Sequence, residues 1–254
     1  MANTSIEWTE ITWNPTTGCT KISEGCKNCY AEAMSKRLKA MGHEKYSEGF
    51  KFKTHSDSLV EPYNWKKPKV VFVNSMSDLF HQNMPLPFLK AIFDVMIDTP
   101  QHTYQVLTKR AEKLKHYAEH LNWSDNIWLG VSVESQKEIK RIDFLREIPA
   151  KIKFLSIEPL IAPITDLDLT SIDWVIVGGE SGPKARPINK EWVDYIHNQC
   201  KVYNVPFFFK QWGKPQFNHD SGDPTISKDH PMHAKGGCQL DGNIYKEMPV
   251  EANM

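Results

Sequence analysis

The feature of the sequence that most restricts the fold is a repeated alternation of short apolar runs with longer amphipathic segments. The apolar runs lie at residues 11–13, 69–74, 103–107, 127–133, 152–157, 174–177 and 206–209. This alternation is typical of parallel strands joined by crossover helices. We therefore predict an α/β fold, a parallel and partial TIM-type barrel of about six or seven β/α units.

The segments between the apolar runs predict the helices. In the first, Ala31, Met34, Leu38 and Met41 recur at helical spacing before Gly42. The helices are expected at about residues 30–41, 87–97, 137–146 and 191–203. A further helix follows residues 108–110 and ends at about residue 121. We expect an irregular insertion at about 42–68 within a barrel domain over 1–213. A loop-rich C-terminal segment, 214–254, then closes the barrel.

Composition indicates a globular chain whose charges balance. Of the 254 residues, 40% are hydrophobic, and 31 basic side chains face 31 acidic ones, so no global field draws the chain to nucleic acid. The sequence begins without a basic segment and apolar run of the kind that targets secretion, and no apolar stretch is long enough to span a membrane. We expect a cytoplasmic protein with no membrane partner.

Three of the five cysteines, Cys19, Cys26 and Cys29, lie within eleven residues. In a reducing compartment, clustered thiols favour metal or redox chemistry over disulfides. The spacing suits a [4Fe-4S] cluster with one iron open to a small molecule, a zinc site with a distant fourth ligand, or thiols that bind no metal. Cys238 is the only plausible distant ligand, whereas Cys200 lies on an apolar helix face and is expected in the core.

Polar side chains follow the predicted strands at their carboxyl ends. They are Cys19, Asn74 with Ser75, Thr108 with Lys109, Ser132 with Glu134, Ser156 with Glu158, Gly179 with Glu180, and Lys210 with Gln211. In a barrel of parallel strands these ends meet on one face, where the active sites of such barrels lie. We expect the cysteine loop on that face. The alternative is that strand ends are polar only because they meet solvent.

The run Gly178-Gly179-Glu180-Ser181-Gly182 has two interpretations. It is either a tight turn that uses the conformational freedom of glycine, or bare backbone that lets a ligand approach closely. It lacks the spacing of a phosphate-binding loop and of a dinucleotide fingerprint, so nucleotide cofactors of those classes are not expected. Glu134 and Glu158 follow apolar strands, where a carboxylate suits a cofactor hydroxyl or ammonium group.

Several motifs together resemble known families. They are Thr-Gly-Cys, Gly-Cys-x-Asn-Cys-Tyr-Ala-Glu, Leu-Thr-Lys-Arg, Gly-Val-Ser-Val-Glu, Ser-Ile-Glu-Pro-Leu, Gly-Gly-Glu-Ser-Gly and Lys-Gln-Trp-Gly. The cysteine motif resembles the radical S-adenosylmethionine superfamily, in particular its branch related to spore photoproduct lyase. Over residues 8–249 the chain more closely resembles a bacteriophage three-Cys-motif family named after numbered phage gene products. It differs from the superfamily in a first cysteine gap of six residues, and in Asn28 where an aromatic residue is usual.

The resemblance implies a radical enzyme. Cys19, Cys26 and Cys29 would hold a [4Fe-4S] cluster that binds S-adenosylmethionine, and its reductive cleavage would give a 5′-deoxyadenosyl radical that abstracts hydrogen from an unactivated carbon. The residues placed to hold S-adenosylmethionine are Tyr30, Asn74, Ser75, Ser77, Ser132, Glu134, Gly178, Gly179, Glu180 and Ser181. Those placed to face the substrate as catalytic residues are Lys109, Glu158, Arg186, Lys210 and Gln211.

The resemblance also implies partners. A flavodoxin or ferredoxin would supply the electron, and a phage-encoded chain would act in the host cytoplasm on a nucleic acid or nucleotide, such as a thymine derivative in phage DNA. Lys66, Lys67 and Lys69 beside Tyr63 and Trp65 form a local basic patch with aromatic neighbours. A small metabolite is an alternative substrate. Two alternative classes are a zinc-stabilised nucleic-acid-binding module and an iron–sulfur protein without S-adenosylmethionine chemistry.

Overall fold

The predicted strands are present and form one parallel sheet, so the expected α/β class is confirmed. The structure, a computed structural model, describes residues 4, 6–220 and 222–249; the other residues of the predicted segments 1–213 and 214–254 lie outside the described part. The strands are β1 (Ile11–Trp13), β2 (Val70–Val73), β3 (Thr103–Thr108), β4 (Ile127–Ser132), β5 (Lys153–Ile157), β6 (Trp174–Gly178) and β7 (Phe207–Gln211). They pair in chain order, from β1 to β7.

The predicted helices are confirmed, with small shifts at their ends. They are α1 (Tyr30–Ala40), α2 (Leu86–Asp98), α3 (Ala111–Ala118), α4 (Arg141–Arg146) and α5 (Lys190–Tyr203). The segment predicted as a helix over 137–146 differs most, because its first turn is a separate 3-10 helix, Gln136–Glu138. None of the described helices is both long and apolar enough to cross a membrane.

Most residues of the seven strands are buried. Every residue of β4 and β6 is buried, which explains why these strands read as continuous apolar runs in the sequence. α2 contributes an apolar stripe that includes Leu89, Ile92, Phe93 and Met96, all buried. The removal of this apolar surface from water drives the packing.

The chain divides into two compact units, each described by itself. The first comprises Met1–Ile22, Cys29–Val131 and Asp143–Lys153, and the second comprises Ser23–Asn28, Ser132–Ile142 and Phe154–Met254. In the first unit, β1 pairs with β2 and β2 with β3. In the second, β5 pairs with β6 and β6 with β7, with a register irregularity after Val177.

In the first unit, the buried face of α1 agrees only in part with the predicted apolar face, since Ala31 belongs to both. Met34 and Met41 are 42% and 62% exposed, whereas the buried residues of α1 are Ala31 and Ser35. These two residues are small and lie four positions apart on one side of the helix, so that side lies close to its neighbours and the methionines face outward.

The segment predicted as an insertion at 42–68 is irregular for most of its length. It contains the 3-10 helices Glu44–Tyr46, Ser56–Val60 and Pro62–Asn64. It also contains a short strand that was not predicted, Lys53–Thr54, which pairs in antiparallel fashion with Thr16–Thr17. Strands of two residues carry no detectable periodicity in a sequence.

In the second unit, the loop-rich C-terminal segment is organised by Asp223. This buried carboxylate accepts hydrogen bonds from the backbone N–H groups of Thr225 at 2.8 Å and Gln239 at 3.1 Å, and from the Asn218 amide at 2.8 Å. Burial alone would raise the pKa of Asp223, but hydrogen bonds from Thr225, Gln239 and Asn218 hold it below its usual value. A further antiparallel pair, Gln239–Leu240 with Asn243–Ile244, was not predicted.

His197 of α5 gives the stability of the second unit a pH dependence. Its ring stacks on Phe207 with centroids 4.6 Å apart and meets Tyr245 at 4.4 Å. Burial lowers the pKa of His197, and Lys201 adds to this effect, while Glu247, Asp194 and Asp241 oppose it. The unfolded chain therefore holds the proton more tightly than the folded chain. The stabilisation is complete above the unfolded pKa of about 6.5 and is lost as the pH falls through the folded pKa.

We expect the substitution His197→Gln to flatten the decrease in the free energy of unfolding between about pH 7 and pH 5, because the buried site that disfavours the proton is removed. Urea denaturation over this pH range measures the effect. The substitution His120→Gln, at an exposed position, is the matched control and should leave the slope unchanged. An equal slope in His197→Gln and the unmodified chain would contradict the prediction.

Candidate metal and cofactor site

The cysteines of the loop form no disulfide bond in the described part of the chain. Cys19, Cys26 and Cys29 are half-buried, whereas Cys200 and Cys238 are buried. Cys19 and Cys29 belong to the first unit and Cys26 to the second, so the surroundings of each part of the loop are described in turn. Within residues 4, 6–220 and 222–249, no group of three or more His, Cys, Asp or Glu residues is arranged to hold a metal ion.

In the first unit, Arg110 is a cation beside Cys19. Its Nη1 donates a hydrogen bond of 3.4 Å to Cys19 Sγ, and its Nη2 donates to the carbonyl oxygen of Thr20 at 2.8 Å. Arg110 is the residue before α3, so the turn between β3 and α3 directs the guanidinium at the loop. A neighbouring guanidinium favours the anionic form of a sulfur, which is the form that binds metal.

Asp78 holds Arg110 in this position. Its Oδ2 accepts from Arg110 Nη1 at 3.1 Å and from the backbone N–H of Lys109 at 3.2 Å, while its Oδ1 accepts from the Thr108 hydroxyl at 2.8 Å. Both side chains of the ion pair are buried. Burial alone would lower the pKa of Arg110, but Asp78 and Cys19 raise it above its usual value. The guanidinium therefore stays charged beside the sulfur.

The neutral imidazole ring of His81 supports Thr20, the residue after Cys19. Its Nδ1 accepts from the backbone N–H of Asn83 at 3.2 Å, which leaves Nε2 to donate to the Thr20 hydroxyl at 3.1 Å. The ring stacks on Phe52 with centroids 4.3 Å apart. Burial lowers the pKa of His81, and Arg110 adds to the effect. A neutral imidazole is consistent with a position next to a guanidinium.

The backbone before Cys19 requires glycine. Gly18 has a φ of +77°, and a Cβ there would overlap the carbonyl oxygen of Lys51. The Ser77 hydroxyl donates to the Gly18 carbonyl at 2.7 Å, and the Cys19 N–H donates to the Phe50 carbonyl at 3.1 Å. Ser77, which was predicted to hold a cofactor, thus makes its hydrogen bond with the cysteine loop.

Three more residues predicted to hold the cofactor make their hydrogen bonds with protein groups near the loop. The Asn74 side chain donates to the Thr16 hydroxyl at 2.6 Å and accepts from the Thr16 N–H at 3.2 Å. The Ser75 hydroxyl donates to the Asn14 side chain at 3.2 Å, and the Tyr30 hydroxyl donates to the Ser75 carbonyl. The polar end of β2 therefore supports the segment that leads from β1 to the first cysteine.

In the second unit, Glu134 supports the segment around Cys26. This buried carboxylate accepts from the Ser23 hydroxyl at 2.8 Å and from Arg141 Nη1 at 2.8 Å. The Ser23 hydroxyl also lies 3.6 Å from Cys26 Sγ. A Cβ on Gly25 would overlap the Glu134 carboxyl group. The loop lies so close to this carboxylate that glycine is required.

Asn28 and Glu180 connect the cysteine segment to the glycine-rich run after β6. The Asn28 amide donates to Glu180 Oε2 and to the carbonyl oxygen of Lys184, both at 2.9 Å. Arg186 donates to the same carboxylate through its backbone N–H, its Nε and its Nη2. Burial would raise the pKa of Glu180, but hydrogen bonds from Arg186 and Asn28 hold it below its usual value. An aromatic residue at position 28 would lack these two donors.

The glycine pair after β6 allows close packing. A Cβ on Gly178 would lie 3.3 Å from the Glu158 carboxyl group, and one on Gly179 would lie 2.5 Å from the carbonyl oxygen of Trp212. The left-handed conformation of a turn occurs later, at Gly182, whose φ is +104°. Bare backbone is thus needed at Gly179 for the approach of Trp212, whereas a Cβ at Gly178 would make a tight contact with the Glu158 side chain.

The remaining predicted substrate residues meet at the ends of β5 and β7. Lys210 Nζ donates to Glu158 Oε1 at 2.7 Å, and the Gln211 amide donates to the same oxygen at 3.4 Å and to the Gly179 carbonyl at 2.6 Å. Arg186, in contrast, is bound to Glu180. The structure thus brings together three of the residues predicted to face substrate, Glu158, Lys210 and Gln211.

Other predicted residues have less distinctive surroundings. Ser132 is buried and its carbonyl oxygen accepts from Arg141 Nη1 at 2.8 Å, while Ser181 is half-buried. Trp65 is buried with its ring 5.3 Å from that of His102, so it is not an exposed stacking platform for the basic patch.

The two remaining cysteines are both buried. Burial raises the pKa of Cys200 to about 12, which confirms its prediction as a core residue. Cys238 lies in the loop-rich C-terminal segment, where its Sγ is 3.6 Å from the Met232 carbonyl oxygen.

Sequence reasoning missed the roles of Arg110, Asp78 and His81. No role was predicted for Arg110, because a Lys-Arg pair after a strand carries no sign of burial. The available signal was the polar Ser-Met-Ser-Asp run after β2, which places Asp78 at a strand end like the other polar residues. Its partner Arg110 lies shortly after the end of β3.

Comparison with known proteins identifies the family. A family model described as "Protein of unknown function (DUF5131)" matches residues 3–249, so the chain belongs to the DUF5131 family. No curated protein and no solved structure matches the chain.

We expect the substitution Gly25→Ala to destabilise the protein by about 1–3 kcal/mol, because its methyl group overlaps the Glu134 carboxyl group and displaces the cysteine segment. Chemical denaturation measures the loss. Gly222→Ala is the matched control, since a Cβ there meets only ordinary contact at 3.4 Å, and should change the free energy of unfolding by no more than about 0.5 kcal/mol. Equal stability of the two variants would contradict the overlap.

Proposed function

We propose that this chain is a radical S-adenosylmethionine enzyme of the bacteriophage three-Cys-motif type, with a [4Fe-4S] cluster held by Cys19, Cys26 and Cys29. The observation that carries the proposal is Arg110, which donates to Cys19 Sγ from a buried ion pair with Asp78. Charged donors to a sulfur tune a metal-binding thiolate, whereas a packing thiol gains nothing from them. The cluster and S-adenosylmethionine would together supply a carbon radical that abstracts hydrogen from an unactivated carbon.

The donor set fits this cofactor. Three thiolates leave one iron of a cubane cluster free for the amino and carboxylate groups of S-adenosylmethionine. Each thiolate in such a cluster binds a different iron, so the sulfurs need not converge on one ion. None of the five cysteines forms a disulfide bond in the described part of the chain, and the three of the loop are the more accessible ones.

The residues of the chain have two tasks in this proposal. Arg110 and Ser77 position the part of the loop that carries Cys19. Glu134 and Asn28 position the part that carries Cys26. Rigid support of this kind holds ligands in a productive geometry before the cofactor binds.

We further propose that the parallel sheet is a partial TIM-type barrel with the site at the carboxyl ends of its strands. The sequential order of seven parallel strands supports this architecture. In this proposal a cytoplasmic flavodoxin or ferredoxin supplies the electron, and the site excludes water to protect the radical.

The first test is the metal content of protein purified without oxygen. We expect a brown protein with about four irons per chain. The substitutions Cys19→Ala, Cys26→Ala and Cys29→Ala should each abolish iron binding, because each removes one ligand, whereas Cys200→Ala is the matched control and should retain it. Colourless protein with one zinc per chain would support the zinc-binding alternative. Loss of iron in Cys238→Ala would indicate a fourth protein ligand and contradict an open iron site.

The second test separates an enzyme from an electron carrier. Addition of S-adenosylmethionine to the reduced protein should change the spin signal of the cluster and yield 5′-deoxyadenosine. An unchanged signal and no 5′-deoxyadenosine with any reductant, dithionite or flavodoxin, would leave an iron–sulfur protein without this chemistry.

We propose a nucleic acid or nucleotide as the substrate, with modification of a base such as thymine in phage DNA as the outcome. The exposed Lys66 and Lys67 support this choice. If the substrate is a polymer, DNA binding should weaken steeply with salt, and changing Lys66 and Lys67 to Ala should reduce the salt slope by about two units. Binding to single- and double-stranded DNA at two salt concentrations measures this. No binding at low salt would leave a nucleotide or metabolite as the substrate.

A further inference from the structure

Gln211, the last residue of β7, carries a buried hydrogen-bond acceptor without a partner. The residue is 4% exposed, and its Oε1 accepts no hydrogen bond in the described part of the chain. The orientation of the amide is determined by its neighbours, since its Nε2 lies 2.6 Å from the Gly179 carbonyl oxygen and 3.4 Å from Glu158 Oε1. Both of these atoms only accept hydrogen bonds, so a flipped amide would place oxygen against oxygen.

Gln105 in β3 provides an internal comparison. It also has an unpartnered Oε1, and its Nε2 donates to the Trp8 carbonyl at 3.1 Å. Gln105 is 0% exposed in the middle of its strand. Gln211, in contrast, stands at a strand end beside Lys210 and Glu158, whose side chains are each 20% exposed. The two charged groups next to Gln211 are therefore partly accessible to solvent.

The charged neighbours of Gln211 retain unused hydrogen-bonding capacity. Lys210 Nζ donates to Glu158 Oε1 at 2.7 Å, and an ammonium group has three N–H donors. Among the described residues, the donors to Glu158 are Lys210 and Gln211, and both bind the same oxygen, Oε1. The cluster of Glu158, Lys210 and Gln211 therefore presents a buried acceptor next to an available donor, with no net charge.

We propose that Glu158, Lys210 and Gln211 form a recognition site for a planar amide or imide edge, in which a ligand N–H donates to Gln211 Oε1 and the adjacent ligand carbonyl accepts from Lys210 Nζ. The pairing edge of a pyrimidine base and a simple carboxamide both carry this group. This inference rests on the proposed function, because it takes the ligand to be the substrate of the radical reaction.

The electrostatics of the cluster favour a neutral ligand. An anion near Lys210 would lie against the Glu158 carboxylate, and a cation near Glu158 would lie against the Lys210 ammonium group. A neutral ligand group with a donor beside an acceptor is compatible with both the Lys210 ammonium group and the Glu158 carboxylate, and it introduces no unpaired charge into the buried site. A buried acceptor also discriminates strongly, because a ligand without the matching N–H leaves it unsatisfied.

The test is the equilibrium binding of three probes to the purified chain, measured by saturation-transfer NMR. The probes are thymidine, 3-methylthymidine, whose ring N–H is blocked, and N-acetylglycinamide as the simple amide. We expect 3-methylthymidine to bind at least about tenfold more weakly than thymidine. The tighter of thymidine and N-acetylglycinamide identifies the source of the recognised edge as a base or a carboxamide.

The substitution Gln211→Met should weaken the binding of thymidine by at least about tenfold and remove the preference over 3-methylthymidine. Gln105→Met, which removes the other buried amide with an unpartnered oxygen, is the matched control and should leave binding unchanged. If Gln211→Met fails to fold, the comparison of the two nucleosides on the unmodified chain decides alone. Equal affinities for them, or no binding of thymidine and N-acetylglycinamide at millimolar concentration, would overturn the inference.

These measurements need neither iron nor S-adenosylmethionine, so the two proposals fail separately. Binding of thymidine by a chain that never yields 5′-deoxyadenosine would reject the radical reaction and retain the recognition site. Formation of 5′-deoxyadenosine without selective binding of an amide edge would reject the recognition site alone.

Discussion

Buried charges that must have partners determine the position of the cysteine loop. Glu134 and Glu180 are buried carboxylates at strand ends of the second unit, and a carboxylate in such a place is unfavourable unless donors surround it. Part of the donor set comes from the loop itself, through Ser23 and Asn28. In the first unit, the buried Arg110 is satisfied by Asp78 and by groups of the loop. The loop and the strand ends therefore stabilise each other.

The sequence predicted most of the fold, because the dominant interactions there are periodic. Strands buried on both faces read as apolar runs, and all seven were predicted within one or two residues, as with Trp174–Gly178. The buried face of α1 was predicted only in part, since Ala31 was included but Ser35 carries no hydrophobic signal. The pair of Thr16–Thr17 with Lys53–Thr54 was missed because its register depends on contacts far apart in the chain.

The candidate site was predictable as a set of positions, but the partner of each residue was not. Strand ends were correctly expected to carry the polar groups, and many of these groups bind the cysteine loop. The hydrogen bond of Ser23 to Glu134 spans 111 positions of the chain, and that of Asn28 to Glu180 spans 152. No local pattern in the sequence predicts hydrogen bonds between residues so far apart in the chain. A carboxylate that holds a loop and one that holds a cofactor are identical in sequence.

The distinction between satisfied and unsatisfied groups separates support from recognition. Glu180 accepts four hydrogen bonds from Arg186 and Asn28, so a ligand would have to displace protein donors to reach it. Gln211 Oε1 accepts none in the described part of the chain, so a ligand donor there would replace no protein contact. Binding is more favourable where it satisfies a buried acceptor than where it exchanges one hydrogen bond for another. Among the polar groups at the strand ends, the cluster around Gln211 is therefore better suited to recognise a ligand, while Glu180 holds the loop.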